Sequence, residues 1–191
     1  SSARREGTMC FCRAPTTLLC PSLTALSLQT IIRPICLFLF TATRPFQKAA
    51  ADLKIGRGDD PSTNLGPIIN ETQLRQIHRR VQRARKEGAR LVLGGKIERA
   101  GERKHGYFYR PTIFTSVSSR MSVAQEEIFG PVVGLIKVKN YEEAIRVIND
   151  SVYGLSSSIF TRDVARAIKR IEEIQAGITY INSSTIGAEA H

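Results

Sequence analysis

At 191 residues the chain has room for one domain, or for part of a two-domain protein, and can bury a sizeable core. A net charge of +11 with a pI near 10 points on composition alone to an anionic partner. The placement of that charge excludes nucleic acid and an acidic membrane surface as the leading readings. Arg75, Arg79, Arg80, Arg83, Arg85 and Lys86 fall on the polar side of one predicted helix, with Glu71 and Glu87 at its ends and no aromatic residues interleaved for base stacking.

Residues 1–50 differ from everything after them. All four cysteines lie there (Cys10, Cys12, Cys20 and Cys36), with Pro15, Pro21, Pro34 and Pro45, a single acidic residue (Glu6) and a single glycine (Gly7). Neither a helical nor a strand period fits more than a few residues before a proline interrupts it. Low acidity with Arg and Ser fits an organelle-targeting peptide. The apolar run Ile35 to Thr43 is about half the roughly 20 residues a membrane-crossing helix needs. The favoured reading is sequence foreign to the protein, from a frame slip or retained intron, encoding no stable fold. The cysteines have no Cys-x-x-Cys pairing, and His78, His105 and His191 are scattered, so a zinc site is not expected. A secreted disulfide framework has no support either, because no cysteine follows Cys36.

From residue 51 to 191 the periods alternate as in an α/β domain with a mostly parallel sheet flanked by helices. Asn70 caps a helix with Gln73 three residues on. Its apolar face is Leu74, Ile77, Val81 and Ala84, and Gly88 ends it. Arg90 to Leu93 is a short strand closed by Gly94-Gly95. Gly106 to Phe114 reads as extended, and Pro111 makes it an edge or irregular strand. Val132 to Val138 is the strongest strand. A helix over Tyr141 to Asp150 faces Tyr141, Ala144, Ile145 and Ile148 inward, and Tyr153-Gly154 turns into a strand at Ser156 to Phe160. Thr161 caps a further helix bearing Val164, Ala167, Ile168, Ile171 and Ile174, and Ile178 to Ile181 is the last strand. The two strand-helix-strand units, Val132 to Phe160 and Ser156 to Ile181, predict parallel pairing.

The densest segment is Gln125-Glu126-Glu127-Ile128-Phe129-Gly130-Pro131, directly before the strongest strand. It resembles the Glu-Glu-Ile-Phe-Gly-Pro signature of the aldehyde dehydrogenase superfamily. Leu65-Gly66-Pro67-Ile68-Ile69, Tyr153-Gly154-Leu155-Ser156 and Ile181-Asn182-Ser183 agree with it in order. The resemblance implies oxidation of an aldehyde substrate to a carboxylic acid with NAD or NADP, through a cysteine thiolate, a thioester and a carboxylate that activates water. It implies that Glu127 accepts hydrogen bonds from ribose hydroxyls near the nicotinamide and that Phe129 packs beside the same part of the cofactor. Asn182 and Ser183 resemble the loop bordering the aldehyde pocket. The parent protein is expected to be a homo-oligomer.

Plainer readings stand beside these. An isolated glutamate before a strand is usually a solvent-facing charge, which remains the reading of Glu126. Phe129 reads equally as a core aromatic. Ser183-Ser184-Thr185-Ile186-Gly187 reads as a hydroxyl-rich turn. The family carries its nucleophile in a Gly-Gln-x-Cys context, and none of the four cysteines here has one. Family members are longer, with a dinucleotide domain upstream and a Pro-Phe-Gly-Gly segment downstream. The expectation is therefore part of a catalytic domain, with no catalytic residue of its own and inactive when isolated. A non-catalytic assembly module and a basic nucleic-acid-binding protein are the alternatives. The compartment stays open between the cytoplasm, which is favoured, and the mitochondrion.

Overall fold

The structure is a computed structural model describing residues 10–13, 35–38, 43–161 and 171–183. Two stretches of the first fifty residues are strands, β1 (Cys10–Arg13) and β2 (Ile35–Phe38). Helix α1 (Thr43–Ala51) spans the compositional boundary near Ala50 and buries Phe46. The rest of the first fifty residues, Cys20 included, lies outside the described residues, as does most of the helix expected after Thr161.

Helix α2 (Glu71–Lys86) starts where expected. The Asn70 side chain accepts the amide of Gln73 at 2.8 Å, satisfying one of the donors a helix start leaves open. Its apolar positions Leu74, Ile77, Val81 and Ala84 are all buried. Strand β3 (Arg90–Leu93) and the two-residue strand β4 (Ile97–Glu98) follow, then a short 3-10 turn over Gly101–His105.

The expected extended stretch Gly106 to Phe114 is two strands, β5 (Phe108–Tyr109) and β6 (Thr112–Thr115), divided at Pro111. The second of these is internal, paired with β3 and β7, so of the two expected forms the stretch takes the irregular one and not the edge. The ring does no damage because the ladder begins one residue later, where the Thr112 amide donates to the Pro131 carbonyl at 2.8 Å.

After helix α3 (Ser122–Gln125) comes β7 (Val132–Lys137), then α4 (Tyr141–Asn149), β8 (Ser156–Phe160) and β9 (Ile178–Ile181). Asn140 caps α4 by accepting the Glu143 amide at 2.9 Å. Seven strands form one sheet in the order β3-β6-β7-β2-β1-β8-β9, and β4 pairs with β5 separately. Pairs β6–β7, β7–β2 and β8–β9 are parallel, whereas β3–β6, β2–β1 and β1–β8 are antiparallel.

The unit Ser156 to Ile181 pairs parallel as expected, but β7 and β8 are not neighbours. They run in the same direction with β2 and β1 between them. Residues 138–155, helix α4 included, bridge that gap.

The sheet is buried on both faces, which is why β7 reads as a continuous apolar run. Val132 and Ile136 pack into a core built with α2, α3 and α4. Val133 and Leu135 pack on the other face with Phe46 of α1 and Ile113 of β6. The period of two thus assigns alternate residues to different helices. No helix among the described residues is long and apolar enough to cross a membrane.

Candidate functional site

Segment 125–131 bridges α3 and β7, and each of its ends is fixed by hydrogen bonds. The Gln125 side-chain amide donates to the carbonyls of Ser119 and Asp150, each at 2.6 Å. At the other end the Val132 amide donates to Gly130 and the Pro131 carbonyl accepts Thr112. Between these ends the side chains divide. Ile128 is buried in the core, Glu126 and Glu127 are half-buried, and Phe129 is 46% exposed.

Gly130 is required by close approach. A Cβ there would stand 2.6 Å from Cδ1 and 2.8 Å from Cγ1 of Ile77, whose side chain is wholly buried. The segment therefore lies directly on α2. Gln73 donates from Nε2 to the Phe129 carbonyl at 3.1 Å, and the Arg80 guanidinium donates to the Glu127 carbonyl.

Arg83 reaches Glu126 at 2.6 Å and Glu87 at 2.9 Å. Burial raises the Glu87 pKa, but the hydroxyl and amide of Ser122 and the guanidinium of Arg83 outweigh it. The net position is below the usual carboxylate range. Part of the helix face expected to be merely solvated thus supports this segment, and Glu126 is an outward charge that also pairs with Arg83 at the surface. No local signal marks these contacts in the sequence, because the partners lie 43 to 56 residues apart.

Asn182 and Ser183 stand at the opposite end of the sheet. They follow β9, while Glu127 and Phe129 precede β7, and the two strands run the same way. Asn182 adopts a left-handed conformation (φ 52°). Its side chain accepts the Thr161 amide at 2.8 Å and donates to the Thr161 carbonyl at 3.0 Å. An asparagine tolerates that conformation and here laces the ends of β8 and β9 together. The hydroxyl of Ser158, buried in β8, donates to the Ser183 carbonyl.

A cavity of about 470 Å³ opens elsewhere, lined by Lys54, Glu98, Arg103 and Arg110 among others, and by none of the four candidate site residues. Its buried carboxylate, Glu98, accepts the Ala100 amide at 2.8 Å and Arg110 at 2.5 Å. The amide bond first, then the two guanidiniums, hold its pKa below the usual carboxylate range against burial. Among the described residues no group of three His, Cys, Asp or Glu side chains could hold a metal ion. His78 is engaged with the Tyr109 hydroxyl at 3.2 Å.

Comparison with known proteins identifies a family. Residues 41–191 match the aldehyde dehydrogenase family. Over 138 residues the chain is 42% identical to alpha-ketoglutaric semialdehyde dehydrogenase of Bacillus subtilis, covering 72% of this chain and 28% of that protein. Betaine aldehyde dehydrogenase of Brucella anthropi is 37% identical over 131 residues, covering 69% and 27%. Among solved structures, betaine aldehyde dehydrogenase from Staphylococcus aureus in complex with NAD+ superposes with a TM-score of 0.72 at 33% identity, covering 73% of this chain and 28% of that one. Mycobacterium tuberculosis aldehyde dehydrogenase complexed with NAD+ gives 0.69 at 40% identity over the same shares. The chain thus spans a little over a quarter of the length of the relatives it matches. With the motif order, the fold and these matches in agreement, the chain belongs to the aldehyde dehydrogenase family.

Proposed function

We propose that this chain is part of the catalytic domain of an NAD(P)-dependent aldehyde dehydrogenase that oxidises an aldehyde to a carboxylic acid through a cysteine thioester. In that reading Glu127 and Phe129 contact the nicotinamide riboside. The resemblance puts Asn182 and Ser183 beside the aldehyde, a part of the reading that their place at the opposite end of the sheet does not support, since hydride transfer needs the aldehyde against the nicotinamide. The single observation that carries it is the disposition of segment 125–131, where a buried Ile128 separates a half-buried carboxylate from a phenyl ring left 46% exposed at a strand entrance. A core aromatic would be covered, so the exposed ring favours a role as a contact surface.

The residues present fit one part of the cofactor. A carboxylate offers several acceptor sites to the two ribose hydroxyls, and an open phenyl face suits a flat ring beside it. When bound, the cofactor accepts the hydride released as the aldehyde carbon is oxidised. Glu127 orients it, and Phe129 shields the riboside from water. The Gly-Gln-x-Cys context of the family's nucleophile has no counterpart in this sequence, since none of the four cysteines follows a Gly-Gln pair.

The likeness to NAD+ complexes supports a nicotinamide cofactor without favouring NAD over NADP. Assembly into a homo-oligomer is part of the same proposal, as is the reading of residues 1–50 as atypical sequence ahead of the catalytic part. The purified chain is expected to give no aldehyde-dependent rise in absorbance at 340 nm with either NAD or NADP. Turnover that survived replacement of all four cysteines by serine would contradict the thioester route.

A further inference from the structure

A half-exposed phenyl ring in a short connection between a helix and a strand gains by folding onto nearby apolar surface, so its outward placement needs a restraint. Helix α2 supplies one at three residues of the segment. Arg83 holds the carboxylate of Glu126 at 2.6 Å, Arg80 the carbonyl of Glu127, and Gln73 the carbonyl of Phe129 at 3.1 Å. Ile128, between them, is anchored in the core.

Arg83 also bonds Glu87 at 2.9 Å, and Glu87 accepts both the amide and the hydroxyl of Ser122 at the start of α3. The helix that leads into the segment is therefore tied to the same end of α2. Hydrogen bonds from charged donors are the stronger kind, and these come from a helix whose apolar face is fully buried.

We propose that Arg80 and Arg83 are positioning residues that fix segment 126–129 from α2, Arg80 through the Glu127 carbonyl and Arg83 through the Glu126 carboxylate, turning Ile128 inward and holding Glu127 and Phe129 toward the cofactor. The cofactor part rests on the function proposed above, whereas the restraint rests on the geometry alone. Basic residues at these helix positions thus act through the segment and need not touch the cofactor.

The test uses the full 191-residue chain, ¹⁵N-labelled, as wild type, Arg80→Met, Arg83→Met and Arg80→Lys. Heteronuclear NOE values report backbone order at 126–130, and titration with NAD reports shifts of the same amides. In the wild type the segment is expected to be as rigid as α2. Arg80→Met and Arg83→Met should each lower the order at 126–130 while the amides of β7 keep theirs, and Arg80→Lys should restore most of it. The NAD-induced shifts should need about tenfold more NAD in Arg80→Met, the loss expected for one charged hydrogen bond.

Unchanged NOE values in both methionine variants would overturn the restraint. Order lost in the variants, with no NAD-induced shift even in the wild type, would uphold the restraint and overturn the cofactor reading.

Discussion

Phe114→Ala is expected to destabilise the chain by about 3–5 kcal/mol, the usual cost of emptying a fully buried phenylalanine site. Phe114 has no exposed surface and sits in β6 opposite Leu91 of β3 on one side and Gly134 of β7 on the other. The glycine offers no side chain to close over the vacancy. Strand β6 carries the segment as well, because the amide of Thr112 at its start holds the Pro131 carbonyl. Urea unfolding followed by circular dichroism measures the loss. A change below about 1 kcal/mol would mean that this core collapses far more readily than its packing implies.

Gly94→Ala should lose about 2–5 kcal/mol, by adding left-handed backbone strain to overpacking. Gly94 has φ +71°, and a Cβ there would stand 2.0 Å from the Pro111 carbonyl oxygen and 2.8 Å from Oγ1 of Thr112. The first obstacle is main chain, which cannot rotate aside. The second is a hydroxyl already committed, accepting the Gly95 amide at 2.9 Å and donating to the Arg110 carbonyl at 2.8 Å. Gly88→Ala is the control. Its φ is +100°, but the nearest atom to its Cβ is Met121 Cε at 3.9 Å, so only the backbone strain applies. Thermal melts of the two variants should differ clearly, and equal losses would show that the Pro111 contact carries no weight.

Local elements were legible where one residue type decides them. Asn70 with Gln73 fixed the start of α2, and Leu74, Ile77, Val81 and Ala84 fixed its buried face. The run from Val132 announced the strongest strand, and its alternate residues pack on different helices. Strand order was not legible. Local periodicity gives the direction of β7 and β8 but not that β2 and β1 pair between them, because that choice depends on a segment of irregular composition far away in sequence.

The candidate residues were found from a motif, and their support was not. The arginines of α2 carry the same sequence signal whether they face water or hold a carbonyl 47 residues away. Asn182 illustrates the converse. The structure gives it a bracing role at the ends of β8 and β9, beside the role that its resemblance implies.

Saturation-transfer NMR of NAD with the 191-residue chain tests the central claim most directly. Protons of the nicotinamide and its ribose should receive saturation while those of the adenine stay near background, and Phe129→Ala or Glu127→Ala should abolish the effect without unfolding the chain. Adenine saturation equal to that of nicotinamide, or an unchanged pattern in both variants, would contradict the assignment of this segment to the cofactor.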